Sequence, residues 1–113
     1  MQIAELERRS GLSRDTLRYY ERQGLITPPH RATNGYRDYD PRTLVELAFI
    51  AKAQQVGFSL RQIKPAMVHV HAPPGHCAEF LAGMRAKRDE VKARLAEDRL
   101  RLIRLNKLIQ RLS

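Results

Sequence analysis

TLRYYERQGL, residues 16–25, decides the fold because it joins a helical pattern to two adjacent tyrosines and several arginines. A rotation of about 100° per residue places Leu17 and Tyr20 on one face of this helix. The residues around the opposite side are Asp15, Arg18, Tyr19 and Arg22. The pattern predicts that Tyr20 enters a small core, whereas Tyr19 points outward between guanidinium groups.

A second short helix precedes this one. Ile3 and Leu6 are three residues apart, a spacing that indicates an amphipathic helix. Gly11 suits a tight turn, Ser13 suits the N-cap of the next helix, and Gly24 suits its left-handed C-terminal cap. Two helices joined by a short turn that contains glycine predict a helix-turn-helix.

The segment TPPHRATNGYRDYD, residues 27–40, predicts a β-hairpin after the second helix. Its two prolines stop the helix, and Asn34-Gly35 favours a two-residue type I′ turn. A hairpin in this position is a wing, with a plain connecting hairpin as the alternative. The side chains able to reach sugar and phosphate beside a DNA groove are Arg31, Tyr36, Arg37 and Tyr39.

The outward face of the second helix has two interpretations. Arginine binds phosphates or guanine edges, and a tyrosine hydroxyl reaches phosphate, so the face suits the DNA major groove. The alternative is a solvated helix surface. The wing that follows favours DNA.

Composition agrees with a polyanionic partner. The 113 residues carry a formal net charge of +9 with an isoelectric point near 10.4, which is most often a sign of nucleic acid binding and less often of an anionic membrane surface. We find no apolar segment for secretion or membrane insertion, and the single cysteine rules out an intrachain disulfide. We expect a cytoplasmic protein. The sequence contains no nucleophile-base pair, no paired carboxylates and no phosphate loop, so no motif in it indicates an enzyme.

Two further helices are expected after the wing. Asp40-Pro41 supplies an N-cap and a first helical residue for a helix that Gly57 ends. Ser59 and Gln62 form a capping-box pattern for the next helix, which carries Arg61 and Lys64 near a second exposed edge. Pro65 removes a backbone donor within that helix, so we expect a kink or an early end near residue 64.

The tail predicts a dimerisation helix. APPG, residues 72–75, marks a boundary between residues 1–75, a DNA-binding domain, and residues 76–113. Beyond it, apolar residues recur at spacings of four and three, a heptad pattern that predicts a two-stranded coiled coil between two copies. Arg88 and Asp98 interrupt the pattern and could set the register of an antiparallel pair centred near Leu95. The full series is Cys77, Leu81, Met84, Arg88, Val91, Leu95, Asp98, Leu102, Leu105, Ile109 and Leu112. The predicted fold class is mainly α.

The LRYYE tract, the NGYR wing and the GFSL junction, in this order and spacing, resemble the MerR family of bacterial transcription regulators. The resemblance covers nearly the whole chain. It implies a winged helix-turn-helix head, an antiparallel coiled-coil dimerisation helix, and a homodimer bound to double-stranded promoter DNA beside RNA polymerase. It also implies that the protein distorts the promoter in response to a signal, a deformation that costs on the order of several kcal/mol.

The resemblance also assigns roles to individual residues. Those that would read or clamp the groove are Arg14, Thr16, Arg18 and Tyr19. Those that would serve the first wing are Arg31, Tyr36, Arg37 and Tyr39. Arg61 and Lys64 match the second wing, although Pro65 departs from the pattern there.

HVHAPPGHC, residues 69–77, gathers the donors of a metal site, in a mixture that suits zinc, copper or mercury. The donors are His69, His71, His76 and Cys77. By resemblance to metal-sensing members, Cys77 would be one ligand and a cysteine-bearing loop after the dimerisation helix would supply others. The sequence stops at Ser113, where that loop would begin. A different His/Cys site, a shortened chain and no metal at all remain open, as does a buried or redox-active Cys77.

Three classes of function compete. The leading hypothesis is a dimeric, sequence-specific transcription regulator that responds to a metal ion or to thiol-reactive stress. The second is an architectural or excisionase-like protein that bends DNA without sensing a signal. The third is a basic coiled-coil scaffold for RNA or another protein, in which Arg18→Ala would leave nucleic-acid affinity nearly untouched.

Overall fold

The computed structural model describes residues 1–73, 75 and 78–113, and it confirms the mainly α fold class. The chain divides into two compact units, Met1–Pro73 and Pro74–Ser113. The first unit contains helices α1 (Ile3–Ser10), α2 (Arg14–Arg22), α3 (Arg42–Gln55) and α4 (Leu60–Ile63), strands β1 (His30–Arg31) and β2 (Arg37–Asp38), and a 3₁₀ helix (Lys64–His69). The second contains helix α5 (Ala78–Leu112).

A single apolar core holds the first unit together. Leu6 of α1 and Leu17 of α2 are fully buried beside Ile50 of α3 and Ile63 of α4. Tyr20 retains 6% of its accessible surface and belongs to this core, whereas Tyr19 retains 43%. The predicted division of roles between the two adjacent tyrosines is therefore confirmed.

The turn between α1 and α2 and the end of α2 follow the capping signals in the sequence. Gly11 adopts a left-handed conformation with φ +73°, and its amide donates to the Glu7 carbonyl oxygen. The Ser13 hydroxyl accepts from the Thr16 amide at 3.2 Å. At the other end, the Leu25 amide donates to the Tyr20 carbonyl oxygen at 2.9 Å across Gly24, the bonding pattern of a Schellman cap. These caps confirm the predicted helix-turn-helix.

The wing is an antiparallel hairpin, but its predicted type I′ turn is wrong. In the register, Arg31 lies opposite Arg37, and the Ala32 amide donates to the Tyr36 carbonyl oxygen. That leaves a three-residue loop, 33–35, in which Gly35 has φ +83° and Asn34 does not have a positive φ. A type I′ turn needs positive φ at both central residues. The Asn34 side chain instead accepts from the Tyr36 amide at 3.1 Å, which favours the longer loop.

The capping box predicted for α4 is confirmed, whereas the N-cap predicted at Asp40 is wrong, because Pro41 occupies the N-cap of α3 and makes no side-chain cap bond. The Asp40 carboxylate accepts from the Arg42 amide at 2.8 Å, and α3 begins at Arg42, one residue later than predicted. Ser59 and Gln62 form both bonds of a capping box. Helix α4 ends at Ile63, where the chain continues as a 3₁₀ helix. Pro65 explains this early end, because it lacks the amide that an α-helix would need at that position.

Helix α5 runs without interruption for 35 residues, and none of its side chains is buried within the single chain. Its apolar residues are half or more exposed along most of its length, from Leu95 at 52% to Leu112 at 85%. Such a helix needs a partner surface to be stable in water. Within the described ranges, no helix combines the length and the apolar character needed to cross a membrane.

Candidate nucleic-acid interface

A groove of about 630 Å³ lies between the start of α1, the outer face of α2 and the wing. Gln2, Ile3 and Ala4 form one side of it. Its basic lining consists of Arg14, Arg18, Arg22, Arg31 and Arg37. The structure thus brings some of the predicted residues of the helix and of the wing to one concave surface, namely Arg14, Arg18, Arg31, Tyr36 and Arg37.

The three arginines of α2 form a single stripe along the helix. Arg14, Arg18 and Arg22 follow one another at intervals of four residues, so they lie one turn apart on the same face. Arg14 is partly neutralised, because its Nε lies 2.6 Å from Glu7 Oε1. Among the residues that the structure describes, Arg18 and Arg22 form no ion pair with a carboxylate. Their uncompensated charges favour an anionic ligand in the groove.

The wing adds like charges in direct opposition. Arg31 and Arg37 are cross-strand partners, an arrangement that destabilises a hairpin unless an anion lies between or beside the two charges. Glu21 compensates Arg37 only weakly, at 4.0 Å. Tyr36 is 62% exposed and also lines the groove. A phosphate backbone along the wing would relieve the repulsion between the two arginines.

Tyr39 is a correction to the predicted contact surface. Its side chain is 1% exposed, and its hydroxyl donates to Glu21 Oε2 at 3.0 Å, so it cannot reach DNA. Burial, followed by this hydrogen bond, raises the pKa of the Tyr39 phenol above its usual value of 10.0. Tyr39 therefore belongs to the core and anchors the end of the wing to α2.

The anchoring role of Tyr39 can be tested by Tyr39→Phe. The substitution removes a hydrogen bond to a charged acceptor, so we expect the free energy of unfolding to fall by about 1–2 kcal/mol. Tyr36→Phe is the matched control, because Tyr36 is exposed and should change stability by less than about 0.5 kcal/mol. Urea denaturation measures both. If Tyr39→Phe left the free energy of unfolding unchanged and weakened DNA binding, Tyr39 would be a DNA contact and not an anchor of the wing.

A second groove, of about 390 Å³, lies on the other side of α2. It brings Tyr19 together with Arg61 and Lys64, the residues predicted for the second wing. A β-carbon on Gly24 would lie 3.8 Å from Lys64 Cε, so the lysine side chain extends toward the end of α2. Pro65 lines the same groove and does not prevent this basic edge from forming. Thr16 lies apart from both grooves, at the start of α2, where its hydroxyl bonds the Ser13 hydroxyl at 2.9 Å.

Of the four predicted metal ligands, the structure describes His69 and His71. Cys77 and His76 lie outside the described residues. His71 Nε2 lies 2.9 Å from Glu46 Oε2, so this imidazole is already engaged by a buried carboxylate. In the part of the chain that the structure describes, no three His, Cys, Asp or Glu side chains come together as a metal ion would require. His69 and His71 therefore do not form a metal site with other described residues.

Three residues that line or support these surfaces were not among the predicted contacts. Arg22 lines the first groove; the helical pattern places it on the outward face beside Arg18, but it is not among the residues predicted to contact DNA. Glu21 and Glu46 hold the wing and the segment before α5, through bonds to Tyr39 and to His71. No sequence pattern revealed these two carboxylates, because their partners are 18 and 25 residues away.

A helix-turn-helix with arginines along its second helix, next to a wing that carries further arginines, defines a winged helix-turn-helix DNA-binding protein. Two family models agree: "MerR HTH family regulatory protein" matches residues 1–69, and "MerR, DNA binding" matches residues 44–112. The chain belongs to the MerR family.

The similarity to individual relatives extends over most of the chain. The HTH-type transcriptional regulator CueR of Yersinia pestis is 34% identical over 108 residues, which cover 93% of this chain and 78% of that protein. PbrR691 from Ralstonia metallidurans CH34, solved in complex with lead(II), superposes with a TM-score of 0.75 at 28% identity and covers 97% of this chain and 86% of its own. HiNmlR, a MerR family regulator lacking the sensor domain and solved bound to promoter DNA, superposes with a TM-score of 0.65 at 25% identity, with coverages of 90% and 77%.

Proposed function

We propose that this chain is a dimeric, sequence-specific transcription regulator that binds and distorts promoter DNA in response to a signal. The observation that carries the proposal is the groove that joins α2 to the wing through five arginines. Helix α2 would enter the major groove, where Arg18 and Arg22 reach guanine edges or phosphates. Arg31, Arg37 and Tyr36 would follow the adjacent sugar-phosphate backbone.

The remaining predicted contacts extend the footprint. Tyr19, Arg61 and Lys64 would hold phosphates on the second side of α2, where the second groove collects them. Arg14 would contact the DNA at the start of α2, where the Thr16 amide bonds the Ser13 side chain of the N-terminal cap. Residues 1–75 would form the DNA-binding domain and residues 76–113 the dimerisation helix. A protein bound to promoters in this way would act in the cytoplasm, together with RNA polymerase.

The charge distribution of α5 supports an antiparallel dimer. Residues 99–113 hold five basic and no acidic side chains, whereas residues 78–98 hold five of each. A parallel pair would place two segments of charge +5 side by side. An antiparallel pair places each basic segment against a neutral one, which avoids this repulsion. The register set by Arg88 and Asp98 remains a prediction, and within one chain these residues pair with Asp89 and Arg101.

The test of the DNA proposal is the ratio of specific to non-specific affinity, measured against salt by fluorescence anisotropy. With about 8–10 phosphates neutralised per dimer, the logarithm of affinity should fall against log salt with a slope of about −7 to −9. A scrambled duplex serves as the control, and we expect at least about a thousand-fold weaker binding to it. Equal affinity for both duplexes would contradict sequence-specific regulation. In vitro transcription then separates a regulator from an architectural protein, since only the regulator changes promoter output.

For the signal, we propose a soft or borderline metal ion bound through Cys77, because a structural neighbour of the same family was solved with lead(II). His71 leaves the predicted ligand set, since Glu46 engages it. Native mass spectrometry of the reduced dimer, with zinc, copper(I) and mercury(II) offered in turn, tests the proposal. We expect tight binding that is lost in Cys77→Ser and retained in His71→Gln. Absence of specific binding by the wild-type chain would overturn the metal proposal and leave the DNA proposal standing.

A further inference from the structure

Glu46 is a buried carboxylate with three hydrogen-bond donors around it. Its residue exposure is 6%, and it lies on α3. Oε1 accepts from the Thr27 amide at 2.8 Å, and Oε2 accepts from the Thr27 hydroxyl at 2.7 Å. His71 Nε2 donates to the same Oε2 at 2.9 Å. A buried carboxylate is retained only when such bonds replace its lost hydration, so the three donors are needed together.

The two partners of Glu46 belong to different segments of the first unit. Thr27 directly precedes Pro28 and Pro29, which lead into β1. Proline fixes its own φ and restricts the residue before it, so this connection is stiff and passes a displacement of Thr27 on to the strand. His71 follows the 3₁₀ helix and lies in the segment that continues toward α5. Glu46 thus connects the segment before α5 to the beginning of the wing.

The other strand of the wing is held differently. After β2, the Tyr39 hydroxyl bonds Glu21 of α2 at 3.0 Å, and Arg37 lies 4.0 Å from the same carboxylate. The end of β2 is therefore attached to the DNA-reading helix itself. The chain before β1 is attached to Glu46 through Thr27, and His71 bonds the same carboxylate.

We propose that Glu46 is a positioning residue that couples the segment around His71 to the wing, so that movement of this segment changes the orientation of the wing arginines. The proposal rests on the proposed function, because it gives the wing a regulated contact with the DNA backbone. In this coupling, the hydrogen bond from His71 holds Glu46 in place, and the bonds between Glu46 and Thr27 transmit a displacement toward β1. When the protein is bound to its promoter, loss of the hydrogen bond between His71 and Glu46 would change the phosphate contacts of Arg31.

Hydrogen exchange of the full-length chain, without DNA, tests the coupling. His71→Ala removes the donor to Glu46, and we expect exchange at wing amides 30–38 to accelerate about ten-fold, while amides of α2 stay within about two-fold of wild type. His71→Gln keeps a side-chain N–H at a similar reach and should restore wild-type exchange in the wing. Val68→Ala is the matched control, because Val68 lies in the same segment and is 78% exposed.

Two results would overturn the proposal. If the wing amides of His71→Ala exchanged at the wild-type rate, the hydrogen bond between His71 and Glu46 would have no effect on the hairpin. A uniform acceleration in α1, α2 and the wing would mean that His71 contributes only to global stability. Because this readout needs no DNA, it is independent of whether the wild-type chain binds a specific promoter. On promoter DNA, His71→Ala should then weaken affinity about three- to ten-fold, with His71→Gln again close to wild type.

Discussion

Arg18→Ala is expected to abolish most of the preference of the dimer for its promoter. Arg18 lies in the middle of the arginine stripe of α2, lines the groove and forms no ion pair with a carboxylate among the described residues. Loss of one base- or phosphate-reading arginine costs roughly 1–3 kcal/mol, and a dimer loses two of them. Specific affinity should therefore fall between about thirty-fold and more than a thousand-fold, as measured by anisotropy with a promoter duplex.

The control for Arg18→Ala is Arg42→Ala, which removes the same charge from an exposed position at the start of α3. Arg42 lines neither of the two grooves. If affinity depended only on net charge, the two variants would weaken binding equally. We expect Arg42→Ala to change specific affinity by less than about three-fold, since a distant surface charge is screened at physiological salt. Equal losses would favour the scaffold interpretation over a DNA-reading helix.

Leu95→Asp is expected to dissociate the dimer. Leu95 lies at the predicted centre of the heptad pattern, where each copy would face the same residue of the other. Burial of one leucine contributes about 1.5–3 kcal/mol, and the two copies of the variant would also oppose like charges. The dimer dissociation constant should rise at least about a hundred-fold, which sedimentation equilibrium at several concentrations would measure.

Leu100→Asp provides the control on the same helix. Leu95 and Leu100 are 52% and 53% exposed in the single chain, so exposure alone does not distinguish them. Leu100 lies five residues further on, about 140° around the helix and away from the heptad positions. We expect Leu100→Asp to leave dimerisation within about three-fold of wild type. If Leu100→Asp dissociated the dimer and Leu95→Asp did not, the heptad assignment would be wrong.

These expectations depend on features that are local in the sequence. The hydrogen bonds of the caps at Ser13, Gly24 and Ser59 each join residues within a stretch of six, so the sequence predicts these caps without knowledge of the fold. The early end of α4 at Pro65 has the same origin, because a missing amide affects only its own helix. The outward position of Tyr19 and the buried position of Tyr20 follow from helical geometry alone.

The turn of the wing shows where local reasoning fails. Asn34-Gly35 is compatible with both a two-residue turn and a three-residue loop, and the strand register decides between them. That register places Arg31 opposite Arg37, and the loop then needs a positive φ only at Gly35. The register is a property of the two paired strands, which the dipeptide alone does not encode.

The sequence by itself therefore determined the helices, their caps, the wing and the heptad pattern, since each depends on neighbours within a few residues. Only the tertiary structure decided that Tyr39 is buried against Glu21 and that His71 bonds Glu46. Both are pairings of residues that are 18 and 25 positions apart. An aromatic or imidazole side chain in a polar segment is equally compatible with a surface contact and with a buried partner. Packing against a distant carboxylate made the choice. Glu46 is buried and needs donors wherever the fold supplies them. Glu21 stays partly exposed and accepts from the hydroxyl of the buried Tyr39.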